Sequence, residues 1–212
     1  MTDTAQRVSR AAALLAEQDI DAALETITEA ARLDPDSPQA AFGHAQIAFE
    51  AWQPAAALFD RAAALLPGQP DLIRNRALAL AAEGEVAAAE ALLDGVLAQY
   101  PGWLDGHRTL CAMRITNGEA AGWDRSFQQA TAQDSANVAV WLGWFQQHAT
   151  RKDWASARTV LSAAEQACPP AQGLALSKLF LAAESGENSV DFAPFTRSEE
   201  HTSELQSPMF IS

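Results

Sequence analysis

The stretch Val138–Pro170 reads VAVWLGWFQQHATRKDWASARTVLSAAEQACPP, and its spacing decides how the rest of the chain is read. Trp141, Phe145 and His148 recur at steps of four and three residues, the signature of one helical face, with Trp144 beside them. After Lys152-Asp153 a second run begins, with Trp154, Ala157, Leu161 and Ala164 at steps of three, four and three. Pro169-Pro170 then ends it, because proline has no amide hydrogen to continue a helix. The stretch therefore predicts two amphipathic helices joined by a tight turn.

The same phrase recurs in both directions. Pro35, Pro67, Pro101, Ser135 and Pro169 close successive second helices at a near-constant interval, the first slightly shorter than the rest. A small residue holds one phase of each second helix: Ala23, Ala55, Ala89 and Ala157, with Trp123 breaking the series. Four residues on comes a large apolar one: Ile27, Phe59, Leu93, Phe127 and Leu161. A small residue admits a neighbouring helix closely, and the large one fills the space beside it. Turns between paired helices fall at Gly84-Glu85, Gly118-Glu119 and Lys152-Asp153. A fixed period of this size is the mark of a solenoid, in which each unit buries its apolar face against the next.

This pattern resembles the tetratricopeptide repeat, W-x2-L-G-x2-Y followed by A-x3-F and P in about 34 residues. Phe145 stands where that pattern has glycine and His148 where it has tyrosine. The resemblance covers about residues 4–190. It implies an all-α, right-handed α-solenoid of antiparallel helix pairs, about five and a half repeats, with a concave wall made by the first helix of each pair. The repeats are expected at about 4–35, 38–67, 70–101, 103–135 and 138–169, with a half repeat at 171–190, all in one domain over 1–196. Composition agrees. Apolar residues are 49% of the chain and charged ones 19%, alanine dominates the apolar share, and no run of alternating Val, Ile or Thr signals a strand. Asp19, Ser37 and Asp153 are placed to cap helices, and Gly95 falls inside one.

Net charge is −13, and no basic stripe offsets it, which argues against nucleic acid and anionic membrane surfaces as partners. The longest apolar runs are too short to span a bilayer, and the N-terminal residues have no basic segment leading into an apolar one. A cytoplasmic protein is expected. Cys111 and Cys168 lack the spacing of a metal site. Cys111 reads as a small buried group, and Cys168, beside two prolines, as the more exposed. Arg197–Ser207 is similar to the in-frame translation of a common sequencing-library adapter, so 197–212 is expected to be a disordered, artefactual tail.

For function, the four histidines are scattered, and no catalytic or nucleotide-binding fingerprint is present. The chain is expected to be no enzyme and to need no cofactor or metal. Trp52, Trp141 and Trp154 sit at packing phases and read as core; Trp103, Trp123 and Trp144 fit the pattern less well. Asp71-Leu-Ile-Arg74 and Asp105-Gly-His-Arg108 are one phrase repeated one period apart on first helices. Two guanidiniums one repeat apart can hold a carboxylate, and Asn75, His44, His107 and Gln146 could add hydrogen bonds along the same groove. The competing reading, favoured by the aspartates in place, is that each arginine pairs with its own aspartate at i, i+3. Within the resembled family, the carboxylate-clamp subset carries Lys and Asn at wall positions that here hold mainly Val8, Ala12, Ala40, Leu78, Ala112 and Leu142, so that clamp is not expected. Glu83, Glu85 and Glu90 read as a solvated face. The expected function is a non-catalytic scaffold that binds a peptide or helix of another protein. The alternative is a truncated N-terminal module of a larger bacterial enzyme, a sulfotransferase or a 2-oxoglutarate- and iron-dependent oxygenase. The genomic locus beyond codon 196 decides between them.

Overall fold

The computed structural model describes residues 3–119 and 121–185. The expectations for the second half of repeat six and for the adapter-like tail lie outside these residues. The described residues are helices and turns, with no strand among them. The chain divides into two compact units, 1–133 and 134–212.

The first unit holds α1 (Asp3–Ala16), α2 (Ile20–Leu33), α3 (Pro38–Glu50), α4 (Ala56–Leu65), α5 (Pro70–Ala82), α6 (Val86–Gln99), α7 (Leu104–Thr116) and α8 (Arg125–Gln133). Each odd helix pairs with the even helix that follows, and each even helix packs on the next odd one. First helices also meet across neighbouring pairs, α1 on α3 and α5 on α7. The second unit holds α9 (Val138–Thr150), α10 (Trp154–Ala167) and α11 (Gln172–Ser185), each packed on the other two.

The periodic residues are where the period predicts. Ala23, Ala55, Ala89 and Ala157 are buried, as are Ile27, Phe59, Leu93, Phe127 and Leu161 four residues later. Trp123 is the exception. An indole does not fit the slot that alanine fills in the other pairs, so the chain enters α8 late. Gly122 turns at φ +75, Asp124 is buried, and the helix begins only at Arg125.

The reversal between paired helices is the same in all five pairs. Gln18, Trp52, Gly84, Gly118 and Lys152 have left-handed backbones, with φ of 64, 58, 89, 83 and 58 degrees. After each, the next amide reaches back five residues: Asp19 to Leu14 O, Gln53 to Ala48 O, Glu85 to Leu80 O, Glu119 to Arg114 O and Asp153 to His148 O, all within 2.8–3.1 Å. This is the Schellman closure, which satisfies a helix's last carbonyls. Only two of the five positions carry glycine, the residue that adopts this backbone without strain.

The predicted caps form. Asp19 accepts from Ala22 N, Ser37 from Ala40 N and Asp153 from Ser156 N, and Asn137 does the same for Val140 N. The second helix of pair two starts only at Ala56, because Trp52, Gln53 and Pro54 are spent on the reversal. Cys168 is buried, not exposed, and its thiol donates to Ser135 O at 3.4 Å. Burial also pushes that thiol's pKa up, with the charge of Asp134 adding to it.

Candidate functional site

The candidate residues lie on the first helices of successive pairs, α3, α5, α7 and α9. Arg74 on α5 and Arg108 on α7 occupy the same phase of adjacent pairs in the first unit. Each meets the aspartate one turn earlier, Arg74 Nη2 at 3.5 Å from Asp71 and Arg108 Nη1 at 3.3 Å from Asp105. Both are i, i+3 contacts at the surface, with Arg74 half-buried and its aspartate and the second pair exposed, and such contacts are worth about 0.2–0.5 kcal/mol on a helix surface. That is too little to prevent an incoming carboxylate from exchanging with the aspartate.

Beside Arg108 lies a depression of about 470 Å³. Its floor is Leu78 and Ala81 of α5 with Ala112 and Met113 of α7, and Arg108, Thr116 and Asn117 supply the polar rim. Leu78 and Ala112 are two of the expected wall positions, and their apolar character makes the site a slot for a side chain rather than a charge clamp. Arg74 does not line it. Asn75 is half-buried on α5, and Gln146 is exposed on α9 in the second unit.

Two histidines leave the candidate list. His107 is buried, not on a wall. Its Nε2 donates to Pro101 O at 2.8 Å, and its ring stacks on Phe127 with centroids 4.5 Å apart. Burial holds its pKa below the usual histidine range, the Pro101 carbonyl only partly opposing this. Gly106 before it is buried one period after Leu72, and a Cβ there would run into the Trp103 ring; His107 beside it is buried as well. His44 is half-buried and reaches across to α2, with Nε2 3.2 Å from Thr28 Oγ1. Its pKa is also lowered, first by burial and then by the charge of Arg61.

The tryptophans divide. Trp141 is buried, and Nε1 donates to Ser135 O at 2.8 Å. Trp154 is half-buried against the second unit's core, edge-on to Phe180. Trp52 is not core at all: it is 91% exposed. Its left-handed turn aims the side chain outward, which a reading by helical phase cannot anticipate.

Glu83 and Glu85 are exposed, as expected of a solvated face, and Glu90 is half-buried, but Glu83 and Glu90 also hold structural partners. Glu83, at the end of α5, accepts from Ala55 N and Ala56 N at 2.8 Å each and so caps the preceding pair's α4, whose own cap position is alanine. Glu90 and Asp94 of α6, with Glu119, surround Arg114, which is buried on α7. Arg114 Nη2 donates to Asp94 at 2.6 Å, and Nε stands 3.6 Å from Glu90 and 3.9 Å from Glu119. The period does carry a signal for this cluster. Arg114 stands one period after Leu80 and His148 two, at an inward-facing phase. His148 is buried likewise, with Nδ1 3.0 Å from Asp153 Oδ2. Asp153 is held below the ordinary carboxylate range by the Ser156 hydroxyl first, then by the Ser156 amide, with His148 adding to both.

No helix among the described residues is long and apolar enough to cross a membrane. Among the same residues, no group of three or more His, Cys, Asp or Glu is placed to hold a metal ion. No family model matches the sequence, and no curated protein matches it. Solved structures do match. A tetratricopeptide repeat protein from Parabacteroides merdae is 13% identical, with 87% of this chain and 73% of that one covered and a TM-score of 0.53. MamA from Desulfovibrio magneticus RS-1 is 16% identical over 78% of this chain and 96% of that one, with a TM-score of 0.51. PilF of Pseudomonas aeruginosa is 14% identical over 92% and 97%, with a TM-score of 0.50. At such identities what is shared is architecture, and the fold of this chain is that of the tetratricopeptide-repeat solenoids.

Proposed function

We propose that this chain is a non-catalytic interaction scaffold that binds a peptide or helix of another protein on the α5–α7 wall of its first unit. The observation behind this reading is the depression floored by Leu78, Ala81, Ala112 and Met113, with Arg108 at its rim. An apolar side chain of the partner fills the slot, and a carboxylate or carbonyl one turn away displaces Asp105 from Arg108. The apolar anchor carries the affinity and the arginine fixes the register, the usual division between buried anchors and a polar rim. Asn75 and Gln146 are kept only as candidate polar contacts outside the slot.

A photo-crosslinking amino acid at Thr116, on the rim of the slot and exposed, tests this in native lysate. The expected result is a discrete adduct with one protein, lost when Ala112→Trp fills the slot and weakened about tenfold by Arg108→Glu. Both variants should keep the parent melting temperature, since Ala112 and Arg108 are exposed. An adduct pattern identical in parent and both variants overturns the assignment.

A further inference from the structure

Trp52 has a surface that the fold itself does not use. It makes the reversal of the second pair at φ +58, in the turn position that Gln18 and Lys152 also hold with left-handed backbones and that the two following pairs of the first unit give to Gly84 and Gly118. A bulky residue with this backbone is a true outlier, and such positions cost on the order of 1–3 kcal/mol. The indole gains little within the chain in return, being 91% exposed. A large aromatic surface held in water at a strained position is the character of a binding residue, and tryptophan is the side chain most enriched at interface hot spots.

Trp52 lines a depression of about 530 Å³ together with Ile20, Phe49, Pro54 and Ala79. The rim is acidic: Glu50 and Glu83 line it, and neither Lys nor Arg does. Asp19 and Asp21 flank Ile20 in sequence, and both are exposed. The apolar floor asks for an aliphatic side chain, and the negative rim asks for a cation beside it.

We propose that this depression docks a basic, apolar segment of a partner protein. An aliphatic side chain enters among Ile20, Phe49 and Ala79, and an arginine guanidinium stacks on the Trp52 indole within reach of Glu50. A cation over an indole face is attracted by the ring quadrupole, most strongly for arginine on tryptophan. This site shares no lining residue with the α5–α7 slot and stands independently of it.

The test uses the whole chain and a fluorescein-labelled synthetic peptide alternating arginine and leucine, read by anisotropy at physiological salt. The Arg/Leu peptide should bind, with Glu/Leu and Arg/Gly counterparts at least about tenfold weaker. Trp52→Gly should weaken binding about tenfold or more while raising the melting temperature, because it relieves the turn; a merely structural residue would not move the two in opposite directions. Ala112→Trp should leave this binding unchanged. Equal affinity for the Trp52→Gly protein overturns the proposal. So does equal affinity for the Arg/Gly peptide, which would assign the binding to net charge alone. Self-association of the free chain that Trp52→Gly abolishes also overturns it, in favour of a second copy as the occupant.

Discussion

The neighbouring pairs α5–α6 and α7–α8 obey one template and fill it differently. In the first, Leu80 takes the inward position near the end of the first helix, Gly84 makes the reversal, and buried Ala89 and Leu93 seat a second helix of 14 residues. In the second, Arg114 stands where Leu80 does, Trp123 where Ala89 does, and the second helix is cut to 9 residues. The backbone reversal is nevertheless the same in both, down to the amide that reaches back five residues. The comparison teaches that stacking sets the path of the chain, and each irregular side chain is then accommodated locally. For Arg114 the accommodation is three carboxylates; for Trp123 it is a later helix start.

The largest effect should come from breaking the polar version. Arg114→Leu, which imitates the apolar neighbour, should cost about 2–3 kcal/mol in urea unfolding, because Asp94, Glu90 and Glu119 lose their cation. The figure is below that for a fully buried pair, since Glu90 and Asp94 side chains are 20% and 42% exposed. Adding Glu90→Gln and Asp94→Ala to Arg114→Leu should recover most of the loss. Recovery that fails would mean Arg114 holds the pair's geometry and not only its charge balance.

Next in size is the contact by which one pair completes another. Glu83→Ala should destabilise by about 1–2 kcal/mol, since two amides at the start of α4 lose their acceptor. Glu83→Gln, which keeps the oxygen and loses the charge, should cost less than half as much. Equal losses would assign the effect to charge alone.

A pH dependence then separates α7–α8 from its neighbour, which has no buried histidine. His107 has a pKa lowered in the folded state, so the unfolded chain binds more protons as pH falls through the ordinary histidine value of about 6.5. Stability of the first unit is therefore full above that pH and declines below it. The urea midpoint should drop between about pH 7 and pH 5.5, and His107→Gln should flatten that slope, leaving the share due to His44.

The smallest expected effect sharpens the regular pair. Gly95 lies within α6, and a Cβ there would meet nothing within 4 Å. Close packing therefore does not require the glycine. Gly95→Ala should raise stability by about 0.5–1 kcal/mol, seen as a higher urea midpoint with an unchanged slope.

Much of this architecture was legible in the residues. The small-then-large spacing named the buried face of each second helix, and Asp19, Ser37 and Asp153 announced their caps. The site was less so. Arg74 and Arg108 fall on first helices as the phrase predicts, yet only Arg108 borders the slot, and His107 turned inward. Trp52 was misread because helical phase says nothing about a side chain in a left-handed turn. Arg114 was readable in principle, from its place one period after Leu80.

What the sequence determined by itself is whatever repeats locally: which segments are helical, where they reverse, and which face of each is apolar. These follow from the helical period and from caps within four residues, interactions the chain makes with itself at short range. Only the tertiary structure decided who meets whom across pairs: Glu83 at the start of a helix 27 residues earlier, Asp94 on Arg114 over 20 residues, Trp52 beside Ile20 and Ala79. Such partners depend on how helices stack and which rotamers fit between them, and sequence period constrains neither to the few tenths of an ångström that a hydrogen bond requires.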